Sequence, residues 1–146
     1  MTVQPKPSLD QLLCLDLYAA SRAVIKAYGP LLEQTGLTYP QYLVMMALWE
    51  QGPLAVKGLS HLLSLDSGTL SPLLKRLEVA GLVARTRSKV DERGVTIALT
   101  DLGRALEARA AAVGPEIACL FGITREEARA LQLSLRAIAK RMDANG

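Results

Sequence analysis

The chain has 146 residues, half of them hydrophobic and a fifth charged, which is enough for one domain with a real core and short of two. Aromatic residues make up 4%, so the core must be built from Leu, Ala, Val and Ile, and that favours packed helices. A net charge of +3 is too mild to identify a partner by itself, and the position of the charges matters more.

No run of 18 uncharged apolar residues occurs, so no membrane span is indicated. The start, "MTVQPKPSLDQ", lacks the basic-then-apolar order of a secretory signal, and a cytoplasmic location is expected. Two cysteines in a reducing compartment do not make a disulfide framework; they are free, catalytic or redox-sensing.

In chain order, residues 1–7 read as a loose tail. Ser8 opens "SLDQ", the spacing of a capping box with Gln11. A broad apolar pattern through Leu12, Leu13, Leu15, Ala19, Ala20, Ala23, Val24 and Ala27 predicts a helix covered on more than one side. Gly29-Pro30 should kink or interrupt it, and Gly36 should end it. Thr38 opens a second helix, Tyr39 to about Gln51, with a capping box to Gln41 and Pro40 in the first turn. A short third helix follows over 56–63. Asp66 then caps a fourth that runs to Ala80 and stops at Gly81.

The period then changes. "LVARTRS" and "VTIALT" alternate loosely and flank the charged "KVDERG", which predicts a hairpin with a charged tip. Two helices close the chain, Asp101 to about Phe121 and Glu126 to about Met142, the second introduced by a capping box from Thr124.

Three short helices followed at once by a two-stranded hairpin form the order of a winged helix-turn-helix. The last helix before the hairpin enters the major groove, and the hairpin tip reaches for phosphates or the minor groove. The reading helix starts with the small hydroxyl residues Ser67, Thr69 and Ser71, which let its backbone approach DNA, and Lys75 and Arg76 follow one turn on. Pro72 is expected within the first turn or so, where proline is tolerated. From Lys75 to Arg93, six basic residues (Lys75, Arg76, Arg85, Arg87, Lys89, Arg93) face three acidic ones, a local net +3 equal to the whole chain's excess. That is the footprint expected for phosphate binding. The fold class is therefore mostly α with a small β-hairpin wing. The chain reads as a single domain over 1–146, with helices 8–36 and 101–143 flanking the winged unit at 37–100.

Cys14 and Tyr18 are four apart and share a helix face. On spacing alone Cys14 is either a small apolar filler among leucines or a thiol set beside a phenol because its chemistry is used. Tyr18, Tyr28, Tyr39 and Tyr42 all lie in the first third of the chain. His61 is the only histidine and has no metal partners, so no metal site and no cofactor are expected. Trp49 is expected in or near the core.

"LDSGTLSPLLKRLEVAGLVARTRSKVDERGVTIALTDLG" resembles the DNA-binding core of MarR-family bacterial regulators, and Asp91, Glu92 and Arg93 match its wing signature. "LYAASRAVIKAYGPLLEQTGLTYPQYLVMMALWE" resembles the organic-hydroperoxide-sensing OhrR branch of that family. Together the resemblance spans about Leu12 to Met142. It implies an obligate homodimer joined through the first helix and the last two. The dimer would sit on a pseudo-palindromic double-stranded DNA operator with reading helices on the order of 34 Å apart. It also implies that Arg93 enters the minor groove and that Asp91 braces a wing arginine. Cys14 would be the peroxidatic cysteine, with Tyr28 and Tyr39 reaching it in part across the dimer and Tyr18 as a further candidate. The resemblance also implies a pocket that the nearby leucines and Met45 or Met46 would make apolar. Cys119 is similar in position to the resolving cysteine of the two-cysteine type, and implies a disulfide with Cys14 of the other subunit followed by DNA release. Two other readings stay open: a repressor induced by a small aromatic ligand without cysteine chemistry, and a thiol peroxidase. Against the latter, the chain lacks Cys-x-x-Cys and a βαβ pattern, and it is not expected to be an enzyme.

Overall fold

The structure is a computed structural model that describes residues 6–87 and 94–146. The described residues fall into two compact units, Met1–Val113 and Gly114–Gly146.

The first unit begins with a single 3-10 turn, Leu9–Gln11, before α1 (Leu13–Leu32). The capping box expected from Ser8 does not form: its hydroxyl bonds the neighbouring Asp10 carboxylate instead, and α1 starts at Leu13 behind Leu12. Gly29-Pro30 does not interrupt the helix either. Pro30 lies close to the end, so few intrahelical bonds remain to be lost. The chain then tightens into a 3-10 turn, Glu33–Thr35, and is closed by Gly36 at φ 70°, a left-handed position that suits glycine.

The remaining elements of this unit follow the expected order, with one unforeseen short strand between the second and third helices. They are α2 (Tyr39–Gln51), β1 (Leu54–Ala55), α3 (Val56–Leu63), α4 (Ser67–Val79), β2 (Val83–Arg87), β3 (Val95–Leu99) and α5 (Asp101–Ala110). The Thr38–Gln41 box forms in both directions, and the Asp66 carboxylate accepts from the Thr69 backbone N–H at 2.7 Å. Pro72 is the sixth residue of α4, in its second turn and not its first, so the Gly68 carbonyl has no i+4 N–H to accept.

The sheet has three strands and not only the two of the hairpin, in the order β1-β3-β2, all neighbours antiparallel. β1 pairs Leu54 with Ile97, which fixes the start of α3 to the wing. The core lies between these layers. Leu48 and Met45 on α2, Leu59 on α3, Leu70, Leu74 and Leu77 on α4 and Ile97 on β3 are all buried, and Leu32 joins them from the end of α1. The spacing 70, 73, 74, 77 buries one face of α4 and leaves the other in solvent.

The long helix expected from Asp101 to Phe121 is two helices. α5 ends at Ala110 and α6 (Val113–Phe121) begins after Ala111 and Ala112. Pro115 explains the break: it has no N–H for the Ala111 carbonyl, and in the new helix it falls in the first turn, where that loss costs nothing. Gly122, at φ 63°, ends α6, and α7 (Arg125–Ala144) starts from the expected Thr124–Glu127 capping box.

Candidate functional site

The outer face of α4 presents Ser67, Thr69, Ser71, Lys75 and Arg76, all exposed, around a start capped by Asp66. The bonds from the Thr69 backbone, then the Thr69 side chain, hold the Asp66 carboxyl below the ordinary carboxylate range. A hydroxyl-rich, capped helix end on a rigid leucine face is suited to backbone approach in a groove. β2 carries Arg87, exposed, and Arg85. The Arg85 guanidinium turns back to Glu78 of α4 at 3.4 Å, so its charge is partly matched within the chain. Lys89, Asp91 and Arg93, the remaining wing candidates, lie outside the described residues.

Cys14 is the second residue of α1 and is exposed beside Leu13 and Leu15, which are exposed as well. Tyr18 stands one turn on, with the Arg22 guanidinium 5.5 Å from its ring centroid. Tyr28 and Tyr39 lie elsewhere: their rings meet at 4.7 Å between α1 and α2. The structure therefore brings Tyr28 and Tyr39 together and keeps Cys14 apart from both within one chain. Fourteen residues of continuous helix separate Cys14 from Tyr28, about 21 Å at 1.5 Å per residue. Cys119 is in the last turn of α6, in the second unit; its carbonyl accepts from Gly122 N–H while its thiol is exposed. It sits on the sixth helix, not the fifth, because of the break before Val113.

Two aromatic residues extend the tyrosine pair. Tyr42 lies 5.7 Å from Tyr28 and is buried, and Trp49 meets Tyr42 edge-on at 6.5 Å. The indole Nε1 donates to the Gly103 carbonyl at 2.9 Å. Sequence reasoning gives Tyr42 no role of its own, although its i+3 spacing from Tyr39 and the i+7 step to Trp49 carry the signal. Burial, then the neighbouring Tyr39 and Tyr42, push the Tyr28 phenol above its ordinary 10; burial and then Tyr39 do the same to Tyr42. Both phenols are therefore neutral donors at physiological pH. Met45 is fully buried in the core, whereas Met46 is exposed.

Among the described residues, no group of three or more His, Cys, Asp or Glu could hold a metal ion, and no helix is long and apolar enough to cross a membrane. His61 is exposed on α3.

Residues 26–109 match the family described as transcriptional regulator SarA/Rot. The HTH-type transcriptional regulator TtmR of Methylorubrum extorquens is 47% identical over 137 residues, 94% of this chain and 70% of that protein. The organic hydroperoxide resistance transcriptional regulator of Bacillus subtilis is 45% identical over 127 residues, 87% of this chain and 86% of its own. Among solved structures, AbfR of Staphylococcus epidermidis is similar with a TM-score of 0.76 at 37% identity, covering 93% of this chain and 94% of that one. AbfR has been solved reduced on DNA, overoxidised on DNA and with a disulfide formed. The chain belongs to the SarA/Rot family of MarR-like winged-helix transcriptional regulators, on the branch that resembles OhrR.

Proposed function

We propose that this chain is a homodimeric DNA-binding repressor that senses organic hydroperoxides through Cys14. It releases its operator when oxidised Cys14 is joined to Cys119 of the partner subunit. One observation carries the reading: α1 is unbroken from Leu13 to Leu32, with an exposed thiol at its start and two packed phenols at its end. Within a chain these cannot meet. Across a two-fold axis, the start of one α1 can lie against the end of the other, and the thiol then gains donors.

Uncovered apolar surface supports the dimer. Leu13, Leu15 and Ile25 on α1, Leu120 and Phe121 on α6, and Leu131, Leu135 and Met142 on α7 are large and exposed. Ala128, Leu131, Leu135, Ile138 and Met142 repeat at alternating steps of three and four, the spacing of a helix-pairing seam. The B. subtilis relative is a regulator of organic hydroperoxide resistance, which supports that inducer class, and the disulfide form of AbfR supports a second-cysteine step. An apolar surround for Cys14 suits an alkyl or aryl hydroperoxide better than hydrogen peroxide.

The chemistry balances without a cofactor. The Cys14 thiolate attacks the outer peroxide oxygen; the S–O bond forms, the O–O bond breaks, and the alkoxide leaves as alcohol with a proton. The sulfur is oxidised by two electrons to sulfenic acid, while the peroxide is reduced. The Cys119 thiolate then attacks that sulfur; the S–S bond forms, and the hydroxyl leaves as water. The protein acts once per peroxide, as a switch and not a turnover catalyst, and as a DNA-bound regulator it works in the cytoplasm. A disulfide needs α-carbons within about 7 Å, so closing it imposes a geometry on the helices that carry the two thiols. Loss of part of the roughly 4–10 kcal/mol that separates specific from non-specific binding is enough to free the operator.

The test is a gel-shift on the DNA upstream of the protein's own coding region, with and without cumene hydroperoxide, beside a non-reducing gel. Release of DNA together with a cross-linked dimer is expected, and Cys14→Ser should abolish both. Release by peroxide in Cys14→Ser, or oxidised protein that holds its operator, would overturn the reading.

A further inference from the structure

We propose that Trp49 is a positioning residue that carries the state of the tyrosine cluster to the DNA-reading elements. The inference rests on the redox-sensing function above and adds how the signal leaves the sensor. All of its parts lie in the unit Met1–Val113.

The side chains form a contiguous line. Tyr39 meets Tyr28 at 4.7 Å, Tyr28 meets Tyr42 at 5.7 Å, and Tyr42 meets Trp49 at 6.5 Å. The Trp49 indole then leaves α2 and donates to the Gly103 carbonyl in the first turn of α5, 54 residues on. That bond satisfies the part-buried indole N–H and fixes the ring of α2 to the backbone of α5.

The receiving end has no slack. A Cβ built on Gly103 would lie 2.1 Å from the Leu82 carbonyl oxygen, so backbone rests on backbone there. Thr100 ties the same point three ways. Its hydroxyl donates to the Gly81 carbonyl at 2.6 Å, its own N–H donates to Leu82 O at 3.1 Å, and its hydroxyl oxygen accepts from Gly103 N–H at 3.0 Å. Gly81 and Leu82 are the link between α4, the reading helix, and β2, the first strand of the wing. A displaced indole therefore pulls on the junction of helix and wing, because close-packed backbone transmits a shift that flexible side chains would absorb.

Trp49 is the only tryptophan in the chain, so its emission reports directly on this link. The experiment measures operator affinity before and after oxidation by cumene hydroperoxide in wild type, Trp49→Phe and Tyr42→Phe, with Cys14 oxidation checked by mass. Coupled sites typically differ by about 5–150-fold between states. Trp49→Phe keeps a ring and loses the N–H. It should bind reduced operator within about twofold of wild type, while the reduced-to-oxidised affinity ratio falls by about a factor of five. Tyr42→Phe keeps the ring contact and should preserve the ratio. Trp49 emission in the wild type should shift on oxidation. A Trp49→Phe protein that releases DNA as wild type does, or wild-type emission unmoved while DNA is released, overturns the relay; the second readout decides even if the variant folds poorly. Wild type that keeps its operator after oxidation instead sinks the sensing function itself.

Discussion

The rings of Tyr28 and Tyr39 meet with their centroids 4.7 Å apart, so α1 and α2 are joined near their turn by two phenols. Each phenol remains useful as a donor only while it keeps its proton. Tyr28 and Tyr42 are held above 10 by burial first and by the nearby phenols second. A raised pKa means that the fold favours the protonated form. The stabilisation is therefore complete below pH 10 and is lost as the pH rises through the raised values. Phenolate absorbance should show Tyr28 and Tyr42 titrating late, assigned by Tyr28→Phe and Tyr42→Phe, and melting temperature should fall over the same range. Ionisation of Tyr28 and Tyr42 at the ordinary phenol value would contradict the cluster.

Cys119→Ser separates the two steps of the proposed switch. Without a resolving thiol, the Cys14 sulfenic acid persists and excess peroxide carries it on to sulfinic acid. The non-reducing gel should show no cross-linked dimer, and peptide-mass analysis should place added oxygens on Cys14. A cross-link that survives in Cys119→Ser would remove Cys119 from the mechanism.

Salt dependence distinguishes the basic residues. Lys75 and Arg76 are exposed on α4, and Arg85 is engaged by Glu78. Replacing Lys75 or Arg76 by Ala should reduce the slope of log K against log salt by about 0.9 for each phosphate that is no longer neutralised. Arg85→Ala should change it less, because part of that charge is already matched. Equal changes at all three positions would show that the ion pair opens on DNA.

Gly103→Ala tests the close approach of α5 to Leu82. The added methyl would meet a backbone oxygen at 2.1 Å, which cannot rotate away as a side chain could. Denaturant unfolding should show a loss of about 2 kcal/mol or more, the range for overpacked sites. A nearly neutral change would mean that α5 is free to slide, and the clamp at Thr100 would be weaker than its bonds suggest.

Local signals carry most of the fold. Thr38, Asp66 and Thr124 are caps whose partners lie three residues away, and all three form. The leucines of α4 announce its buried face by spacing alone. What local pattern does not contain is long-range pairing. β1 is two residues long and exists only because Leu54 finds Ile97. Ser8 has the right spacing for a cap, but its hydroxyl prefers a carboxylate two residues on. The break before Val113 is legible in Pro115, yet the alanines before it extend the helical pattern up to the break. At the site, the residue types are visible in the sequence and their grouping is not. Tyr28 and Tyr39 come together because α1 and α2 turn back on each other, and Trp49 reaches α5 through a bond that no sequence spacing encodes.

The unbroken α1 has one more consequence. In the proposed dimer each pocket takes its thiol from one chain and its phenols from the other. A mixed dimer of Cys14→Ser with Tyr28→Phe then holds one pocket with both defects and one with neither. Isolated as a mixed dimer, the two variants should recover one working sensor of two, whereas a sensor built wholly within one chain could never be rescued in that way.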